Sequence, residues 1–467
     1  MNRDLMRALL VVFVGAAIWF TPVPAGLKVQ AWHLFAIFVT TILGFILQPL
    51  PMGSVAFMCI TFTITAGVLK PTEALSGFST STIWLIVSAF LFARGIIKTG
   101  LGRRIAFVLM RAMGDSTLKL AYTLAITDLI ISPATPSNSA RAGGIIFPIV
   151  RSLASAFDSE PGESSRRVGA YLTENSFQAT CITSAMFMTS CAPNPLIVAL
   201  AAATLGVSIS WGMWALAASV PGIIALAVMP YVLYKIYPPE ITKTPEAKKI
   251  ASKELEKMGP MSLAEKIVAV VFVGAVLLWS TSTYTKLDAT AVAMLAVSVI
   301  MATKVLGWKE VLEEKGSWDT LIWLGGLLGL ADYLDKLGFG KWFAKVVTGM
   351  IGGIPWVPTL AIVLLVYFYS HYFFAGLSSH IVALYTVLSV VAIAAGAPRY
   401  LVALLMAFVS SLVGGLTHFA TGPAPILFAS GYIDQHTWWR IGFIVSLVNI
   451  VIWVGIGSLW LKIIGLW

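Results

Sequence analysis

Two short polar stretches interrupt an otherwise apolar sequence, and the first of them reads ISPATPSNSARAGG. Pro133 and Pro136 lack backbone N–H groups and disfavour a helical residue before them, so a helix is predicted to end here. Ser137 is a favourable N-cap from which a second helix can start. The free N–H groups of that helix start, together with the side chains of Ser137, Asn138 and Ser139, form a set of donors that suits a carboxylate.

The second stretch, FAGLSSHIVALY, has the same design. Gly376 is predicted to break a helix, and Ser378 or Ser379 is predicted to cap the next one. His380 takes the position that Ser139 has in the first stretch. Two such tips that face each other would suit a molecule with an anionic group at each end. The alternative, that these side chains only satisfy backbone groups freed at a broken helix, stays open.

Ionisable residues accompany both stretches, and charge at membrane depth is costly and commonly functional. Arg141 lies about one turn beyond the first tip residues, on the same helix face. It could meet an anion, reach the membrane surface or pair with Asp128, the lone acid of its span, which could itself carry a proton. His380 could be a cation or a neutral capping residue. His371 and His418 lie in apolar sequence and are expected to be packed and hydrogen-bonded.

The composition is that of a protein embedded in a membrane. Of the 467 residues, 58% are hydrophobic and only 11% are charged, with a mean hydropathy of +0.89, whereas soluble domains carry about 25% charged residues. Apolar runs near the ~20 residues that a spanning helix needs recur along the whole chain. Non-helical backbone at this depth must be enclosed by protein or line an aqueous cavity, so both polar stretches are predicted at the tips of re-entrant hairpins.

The remaining composition argues against several classes of protein. The net charge of +10 resides in loops between apolar runs, as topology signals do, and no separate basic domain exists that could bind nucleic acid. Cys59, Cys181 and Cys191 have no paired spacing and the five histidines no metal-binding spacing, so no disulfide, metal or cofactor is predicted. The first apolar run lacks a convincing cleavage site and is interpreted as a retained helix.

The chain is internally duplicated around one polar segment, residues 234–266, which has seven Lys and five Glu and is interpreted as a cytoplasmic linker. Both halves contain, in the same order, an Ile-Trp-Leu helix, a Gly-x-Gly turn, a Ser-rich break and a Pro-x-Pro break. The Pro-x-Pro breaks are Pro193 with Pro195 and Pro423 with Pro425. Interrupted apolar segments at matching positions of two halves indicate the site of a secondary transporter.

The predicted fold class is an all-α polytopic membrane protein with two inverted repeats. Three arginines follow the first Gly-x-Gly turn, whereas mixed charges follow the second, and this favours opposite orientations of the halves. The predicted divisions are N-terminal helices over 1–70, a first repeat over 71–233 with a hairpin near 118–150, the linker over 234–266, and a second repeat over 267–467 with a hairpin near 357–395.

At these residues the sequence resembles the divalent anion:sodium symporter family, whose members carry a Ser-Asn-Thr motif at the tip of each of two hairpins. Here the motifs read Ser137-Asn138-Ser139 and Ser378-Ser379-His380. The closer similarity is to the branch of citrate/succinate and tartrate/succinate antiporters and the plastid 2-oxoglutarate/malate translocator. The segments PVPAGL, IWLI, KTGLGRRIA, TPSNSARAGGIIFPI and SSHIVAL carry it.

The resemblance implies a homodimer with about eleven spanning helices and two hairpins per protomer. It also implies elevator-type movement of a transport part against a scaffold and dimerisation part, to which residues 1–70 would belong. Thr421, Gly422 and Pro423 would contact the substrate, as would residues 192–194 from the other half, although both breaks could be simple kinks. The absence of a transit peptide favours a bacterial inner membrane over a plastid.

The second motif departs from the family pattern, because Ser379 and His380 replace its Asn and Thr. A protonated histidine cannot share a small site with sodium, since like charges repel strongly there. Arg141 and His380 are therefore expected to be fixed cations that replace the two sodium ions. An unloaded site with fixed positive charge crosses the membrane poorly, and a bound dianion cancels that charge. Sodium-independent antiport of di- or tricarboxylates, of the succinate, malate, 2-oxoglutarate, citrate or tartrate class, is the expected function.

Two other functions stay open. Sodium- or proton-driven dicarboxylate symport is supported by the intact first motif and by Asp128. A membrane-embedded enzyme is the remote alternative, because Ser378, Ser379 and His380 are adjacent and cannot easily form a Ser-to-His hydrogen bond with a third orienting group. The sequence also has no G-x-S-x-G elbow.

Overall fold

The computed structural model describes residues 3–351 and 355–467, and this part of the chain is helical throughout. Apart from an isolated bridge between Ser116 and Lys243, the described residues form no β-structure. Seven of their helices are long and apolar enough to cross a membrane, and four shorter apolar helices accompany them. Residues 1, 2 and 352–354, which fall within the predicted N-terminal helices and second repeat, lie outside the described part.

The first half runs from the N terminus to a long apolar helix that ends at the linker. Its helices are α1 (Arg3–Phe20), α2 (Val29–Leu47), α3 (Met52–Thr65), α4 (Pro71–Ala74), α5 (Ser81–Thr99), α6 (Leu101–Met113), α7 (Thr117–Ile131), α8 (Phe147–Ala156), α9 (Gly169–Met186), α10 (Asn194–Leu205) and α11 (Trp211–Ile236). A π-helix, Ala140–Ile146, leads directly into α8. The linker contains α12 (Pro245–Met258).

The second half repeats this order. Its helices are α13 (Leu263–Ser280), α14 (Ser282–Thr285), α15 (Ala289–Ala302), α16 (Trp308–Leu312), α17 (Lys315–Lys336), α18 (Phe339–Ile351), α19 (Trp356–Ser370), α20 (Leu377–Ala394), α21 (Arg399–Leu412), α22 (Pro423–Phe428), α23 (Gln435–Asn449) and α24 (Gly457–Ile463). A second π-helix, Ile450–Ile456, joins the last two.

Helices at matching positions have matching lengths. Both α3 and α15 have 14 residues, both α6 and α18 have 13, and both α7 and α19 have 15. The pairs extend from α2 with α13 to α11 with the combined α23 and α24. On element order the first repeat therefore begins at Val29, whereas residue 71 was the predicted boundary.

Helices of each half pack against helices of the other half. Helix α3 packs against α17, and its counterpart α15 packs against α5. Helix α10 packs against α20, and its counterpart α22 packs against the π-helix of the first half. The counterparts α9 and α21 pack directly against each other. Because each contact recurs with the halves interchanged, an approximate twofold relation connects them.

The first hairpin consists of α7, the π-helix and α8, and it opens at the linker. The Thr117 backbone N–H, at the start of α7, donates to the Thr242 carbonyl at 3.1 Å. Beyond α8, the Arg166 guanidinium donates to the Pro238 carbonyl at 2.6 Å. Both ends of the hairpin therefore lie at the end of α11 where the linker begins. The 15 residues of α7 span about 22 Å, less than the ~30 Å of a bilayer core, as expected of a re-entrant arm.

The second hairpin consists of α19 and α20, and it opens at the other end of α11. Directly after this hairpin, Arg399 Nη1 donates to the Leu205 carbonyl at 3.3 Å, next to the start of α11. At the hairpin's other end, the ring of Trp356 lies 5.7 Å from the ring of the C-terminal Trp467, and the C-terminal helix packs along the first turns of α11. The two hairpins thus enter from opposite sides, which is the arrangement of inverted repeats.

The linker is attached to the first half as well as joining the halves. Arg104 on α6 donates to both carboxylate oxygens of Glu265, at 2.7 and 3.1 Å, and to the Gly259 carbonyl at 2.9 Å. Helix α12 packs along α6. The seven lysines of the linker are what the positive-inside rule expects of a cytoplasmic loop.

The opposed hairpins predict opposite labelling of two cysteine variants. In a background without the three native cysteines, Glu163→Cys lies in the exposed loop after the first hairpin, and Ser208→Cys lies beside the exit of the second. A membrane-impermeant maleimide should label Glu163→Cys only from the cytoplasmic side and Ser208→Cys only from the outside, measured by gel shift in oriented vesicles. Labelling of both from one side would contradict the inverted arrangement.

Candidate functional site

The tip of the first hairpin starts a helix at the predicted residue. Helix α7 ends at Ile131, a short 3-10 turn follows, and the chain is non-helical through Ser137. The Ala140 N–H donates to Ser137 Oγ at 3.2 Å, which confirms Ser137 as the cap. The first N–H groups of the returning helix therefore point into the protein interior.

The tip residues of the first hairpin meet the segment between α21 and α22, residues 413–422. This segment leads into Pro423 and Pro425 and is called here the second break. Asn138 Nδ2 donates to Thr421 Oγ1 at 2.9 Å, and both side chains are buried. A Cβ at Gly422 would lie 2.0 Å from Ser139 Oγ, so Gly422 allows the Ser139 hydroxyl to approach the backbone of this segment closely. The structure thus brings together Asn138, Ser139, Thr421 and Gly422, and Pro423 follows as the first residue of α22.

Arg141 is fully buried, and every one of its N–H groups has an acceptor. Nε donates to Asp128 Oδ1 at 2.9 Å. Nη1 donates to the carbonyls of Thr135 at 2.8 Å and Ser190 at 2.9 Å, and Nη2 donates to the hydroxyls of Thr183 and Ser184. Arg141 was predicted to be a fixed cation that replaces sodium. Asp128 balances its charge, as expected because an unpaired buried charge is expensive.

Asp128 is fully engaged in the same network. Its second oxygen, Oδ2, accepts from the Thr183 hydroxyl, so neither carboxylate oxygen is free. Of the roles left open for this residue, pairing with Arg141 is the one that the geometry supports. The pair fastens α7 to the returning arm of the same hairpin and to α9.

The tip of the second hairpin is built differently from the prediction. Gly376, not Ser378 or Ser379, occupies the N-cap position of α20, with a φ of 153° that glycine adopts without strain. Ser378 and Ser379 lie inside the first turn, where Ser379 Oγ donates to the Gly376 carbonyl at 3.1 Å. Their backbone N–H groups are among the first of the helix and have no intrahelical acceptor.

His380 is fully buried among aromatic rings. Its Nε2 lies 3.0 Å from Ser370 Oγ, and its ring centroid lies 4.4 Å from that of Tyr367 and 5.0 Å from that of Phe374. None of these groups is anionic, so a positive charge on His380 would have no counter-charge among its contacts, at high cost. The geometry therefore supports the neutral alternative for this residue over a fixed cation.

His371 connects the second hairpin to the second break and was expected only to be packed and hydrogen-bonded. Its Nε2 lies 2.8 Å from the Ala420 carbonyl, and because a carbonyl only accepts, Nε2 carries the proton. Its ring centroid lies 4.7 Å from that of His380. Ala420 directly precedes Thr421, the partner of Asn138. A signal for this role was the position of His371 at the end of an apolar run, shortly before Gly376.

An open cavity of about 600 Å³ adjoins this assembly, lined by Tyr372, Gln435, His436, Trp439 and Arg440. Trp439 Nε1 donates to His418 Nδ1 at 3.0 Å, so one wall contacts the second break. The loop before α23 is bonded to the exit loop of the first hairpin, since the Tyr432 hydroxyl donates to the Ser159 carbonyl at 3.2 Å. Sequence reasoning missed Gln435 and Arg440, whose signal was a pair of polar residues opening the last apolar run.

The comparisons with known proteins agree with this architecture. A family model described as "Sodium:sulfate symporter transmembrane region" matches residues 2–467. The chain is 48% identical to the putative malate transporter YflS of Bacillus subtilis, over 99% of this chain and 97% of that protein. It is 45% identical to the chloroplastic dicarboxylate transporter 1 of Spinacia oleracea, over 98% of this chain and 81% of that protein.

Among solved structures, the YdaH transporter of Alcanivorax borkumensis matches with a TM-score of 0.55 over 99% of both chains. At 12% identity, this is a likeness of fold alone. The family model, in contrast, covers nearly every residue, and the named relatives align along almost the whole chain. The chain therefore belongs to the sodium:sulfate symporter family, the divalent anion:sodium symporters, and is a multi-pass membrane transporter and not an enzyme.

Proposed function

We propose that the protein exchanges di- or tricarboxylates across a bacterial inner membrane without sodium. Two relatives are named for malate and for dicarboxylates. The donors at the two hairpin tips suit the carboxylate ends of such a molecule, because helix starts offer unpaired N–H groups and partial positive charge. The substrate would contact both tips and the second break, through Ser137, Asn138, Ser139, Ser378, Ser379, Thr421, Gly422 and Pro423, with His380 behind the second tip.

The observation that supports sodium independence is that side chains of the protein donate hydrogen bonds to the backbone carbonyls at the breaks. Arg141 donates to the carbonyls of Thr135 and Ser190 in the first half, and His371 donates to the carbonyl of Ala420 in the second. Oxygen ligands of this kind are what a hard cation requires. Side-chain N–H groups built into the chain occupy them here, so these carbonyls have less capacity to hold sodium.

Exchange follows from charge. A dianion that crosses alone moves two charges, each at about 2.3 kcal/mol per 100 mV of membrane potential. The Arg141–Asp128 pair is neutral, so the protein itself supplies no net charge from that pair to cancel the substrate. Two dianions that cross in opposite directions move no net charge. We therefore favour antiport over uptake of the anion alone.

We further propose an elevator movement in a homodimer. The interlocked helices α3, α5, α15 and α17 would form the scaffold, with α1 and α2 beside them, and the hairpins with α9 to α11 and α21 to α24 would move. Helices α6 and α18 connect these parts at opposite ends of the molecule. Both carry one apolar and one polar face in sequence, as expected of helices that lie along the membrane surface.

The first test is uptake of labelled malate into proteoliposomes. Uptake is expected only when the vesicles contain unlabelled dicarboxylate, and sodium, potassium and choline buffers should give equal rates. Uptake into empty vesicles that stops without sodium would indicate sodium symport, and uptake driven by an inward proton gradient would indicate proton symport. Either result would overturn the exchange proposal.

The position of Gly422 against Ser139 predicts a loss of binding in Gly422→Ala. A Cβ there would force the Ser139 hydroxyl to turn away from the second break, and we expect malate binding weaker by about tenfold, or ~1.4 kcal/mol. Malate-dependent thermal stabilisation and exchange rates measure this. Gly144→Ala is the matched control, because a Cβ at Gly144 meets no atom within 4 Å. Equal effects of both changes would contradict the placement of substrate at the second break.

The buried pair predicts a specific pattern of stabilities. Arg141→Gln leaves the carboxylate of Asp128 unpaired and should lower the free energy of unfolding by about 3–5 kcal/mol. The double variant Asp128→Asn/Arg141→Gln should recover part of this loss of stability. Exchange should be absent in both the single and the double variant, because the carbonyls of Thr135 and Ser190 lose their donors. Thermal unfolding in detergent and vesicle exchange are the measurements. Lys119→Gln, from an exposed pair, is the control and should cost at most ~1 kcal/mol; wild-type exchange by the double variant would refute the role given to Arg141.

A further inference from the structure

Helix α9 contains an acid that the transport site does not use. All 18 residues of α9 are buried, although seven of them are Thr, Ser, Asn or Gln and one is the acid Glu174. Glu174 itself is 0% exposed. A carboxyl group at such a position has either a cationic partner or a proton, because an unpaired buried carboxylate is very costly.

Glu174 has no cationic partner among the described residues. Its Oε1 accepts from Gln178 Nε2 at 2.9 Å, one turn along the same helix, and its Oε2 is buried without a hydrogen-bond partner. Asp128, the other buried acid nearby, differs on both counts, since Arg141 pairs with it and a threonine hydroxyl donates to it. The contacts of Glu174 therefore match a protonated carboxyl group.

The helices packed against α9 bring only neutral or distant ionisable groups to it. Tyr237, at the end of α11, and Cys181, on α9 itself, lie close enough to Glu174 for a charge on Glu174 to act on them, and both are uncharged at neutral pH. On α11, Tyr234 contacts Tyr171 and Lys235 lies over the ring of Tyr231 at the surface.

The remaining neighbours are no more charged. The first hairpin presents the neutral Arg141–Asp128 pair and the exposed Arg151. Helix α21 has Arg399 and Tyr400 only at its far end, α22 has no ionisable residue, and α23 presents Asp434 at its cap with the exposed His436 and Arg440. The loop before α9 adds Arg166, which lies over the Tyr237 ring and donates to the Pro238 carbonyl, and Arg167, which pairs with Asp158. Among the described residues, no lysine or arginine forms an ion pair or hydrogen bond with Glu174.

Glu174 is linked to the second break through one amide group. Gln178 Nε2, which donates to Glu174, also donates to the Gly415 carbonyl at 3.0 Å. A Cβ at Gly415 would lie 2.5 Å from Gln178 Oε1, and one at Gly414 would lie 3.1 Å from Thr421 Cγ2. The amide is therefore packed against the segment that holds Thr421, so a change at Glu174 reaches the tip cluster through a few close contacts.

We propose that Glu174 is a proton-binding site whose protonation stabilises the second break and thereby the substrate-binding arrangement. Its link to substrate rests on the proposed carboxylate exchange, but proton binding itself does not. When Glu174 releases its proton, the carboxylate needs a second donor for Oε2, which has none. Gln178 already gives one N–H to Oε1 and can supply the second only by withdrawing the N–H that it gives to the Gly415 carbonyl. Exchange is therefore fastest with the proton bound and falls as the pH rises through the ionisation of Glu174.

An infrared pH titration of the purified protein tests proton binding without transport. A protonated-carboxyl band should be lost as the pH rises, and this loss should be absent in Glu174→Gln and unchanged in Glu163→Gln, an exposed acid of the loop before α9. If Glu174→Gln and wild type give the same difference spectrum, the site does not bind a proton and the proposal is overturned, whatever the protein transports.

Malate exchange between about pH 6.5 and about pH 8.5 tests the link, because both carboxyl groups of malate stay ionised there. The wild-type and Glu163→Gln rates should fall several-fold with rising pH, whereas Glu174→Gln should keep a constant rate. Gln178→Leu, which keeps the acid but removes the bond to Gly415, should retain the infrared band and lose the pH dependence. A pH profile of Glu174→Gln or Gln178→Leu that parallels the wild type would overturn the link to substrate.

Discussion

Backbone polar groups at membrane depth must find partners without the help of bulk water, and the rest of this structure depends on how they do so. Each half interrupts two helices, and every interruption frees carbonyl and N–H groups. The carbonyls are taken up by side chains from neighbouring segments, by Arg141 in the first half and His371 in the second. The N–H groups at the two tips are left toward the interior, where an anion can use them.

The halves solve the same problem with different chemistry. The first uses a charged group, Arg141, and therefore also needs Asp128 to balance it. The second uses a neutral set in which His371, His380, Ser370 and Tyr367 are in mutual contact. The duplicated backbone is thus preserved while its side chains diverge. Divergence is cheapest at these positions, because any donor of suitable length satisfies a carbonyl.

Much of the architecture could be predicted from the sequence because its signals are local. Proline pairs, a serine cap and apolar runs determine where helices stop and restart, and Ser137 starts its helix as predicted. The internal duplication predicted that the helices of the second half would repeat the order of the first half. The opposite orientation of the two halves was predicted from the distribution of lysine and arginine alone.

The partners of the ionisable residues could not be predicted in this way. Arg141 lies on the helix face that the i to i+3 rule gives, but local spacing does not show that Asp128 and the carbonyls of Thr135 and Ser190 converge on it. Gly376 replaced a serine as the cap because its φ of 153° suits glycine alone. Glu174 went unnoticed because a glutamate among many Thr, Ser, Asn and Gln residues gives no sign that all of its helix is buried.

The contact between Asn138 and Thr421 joins residues 283 positions apart. During synthesis at about 5–20 residues per second, the first hairpin waits on the order of tens of seconds for that partner. Throughout this interval the first half lies in the bilayer with its tip donors unpaired and the faces of α3 and α5 uncovered. Biogenesis of this protein therefore includes a stage at which the polar tip of the first half lies in the membrane before its partner residues have been synthesised.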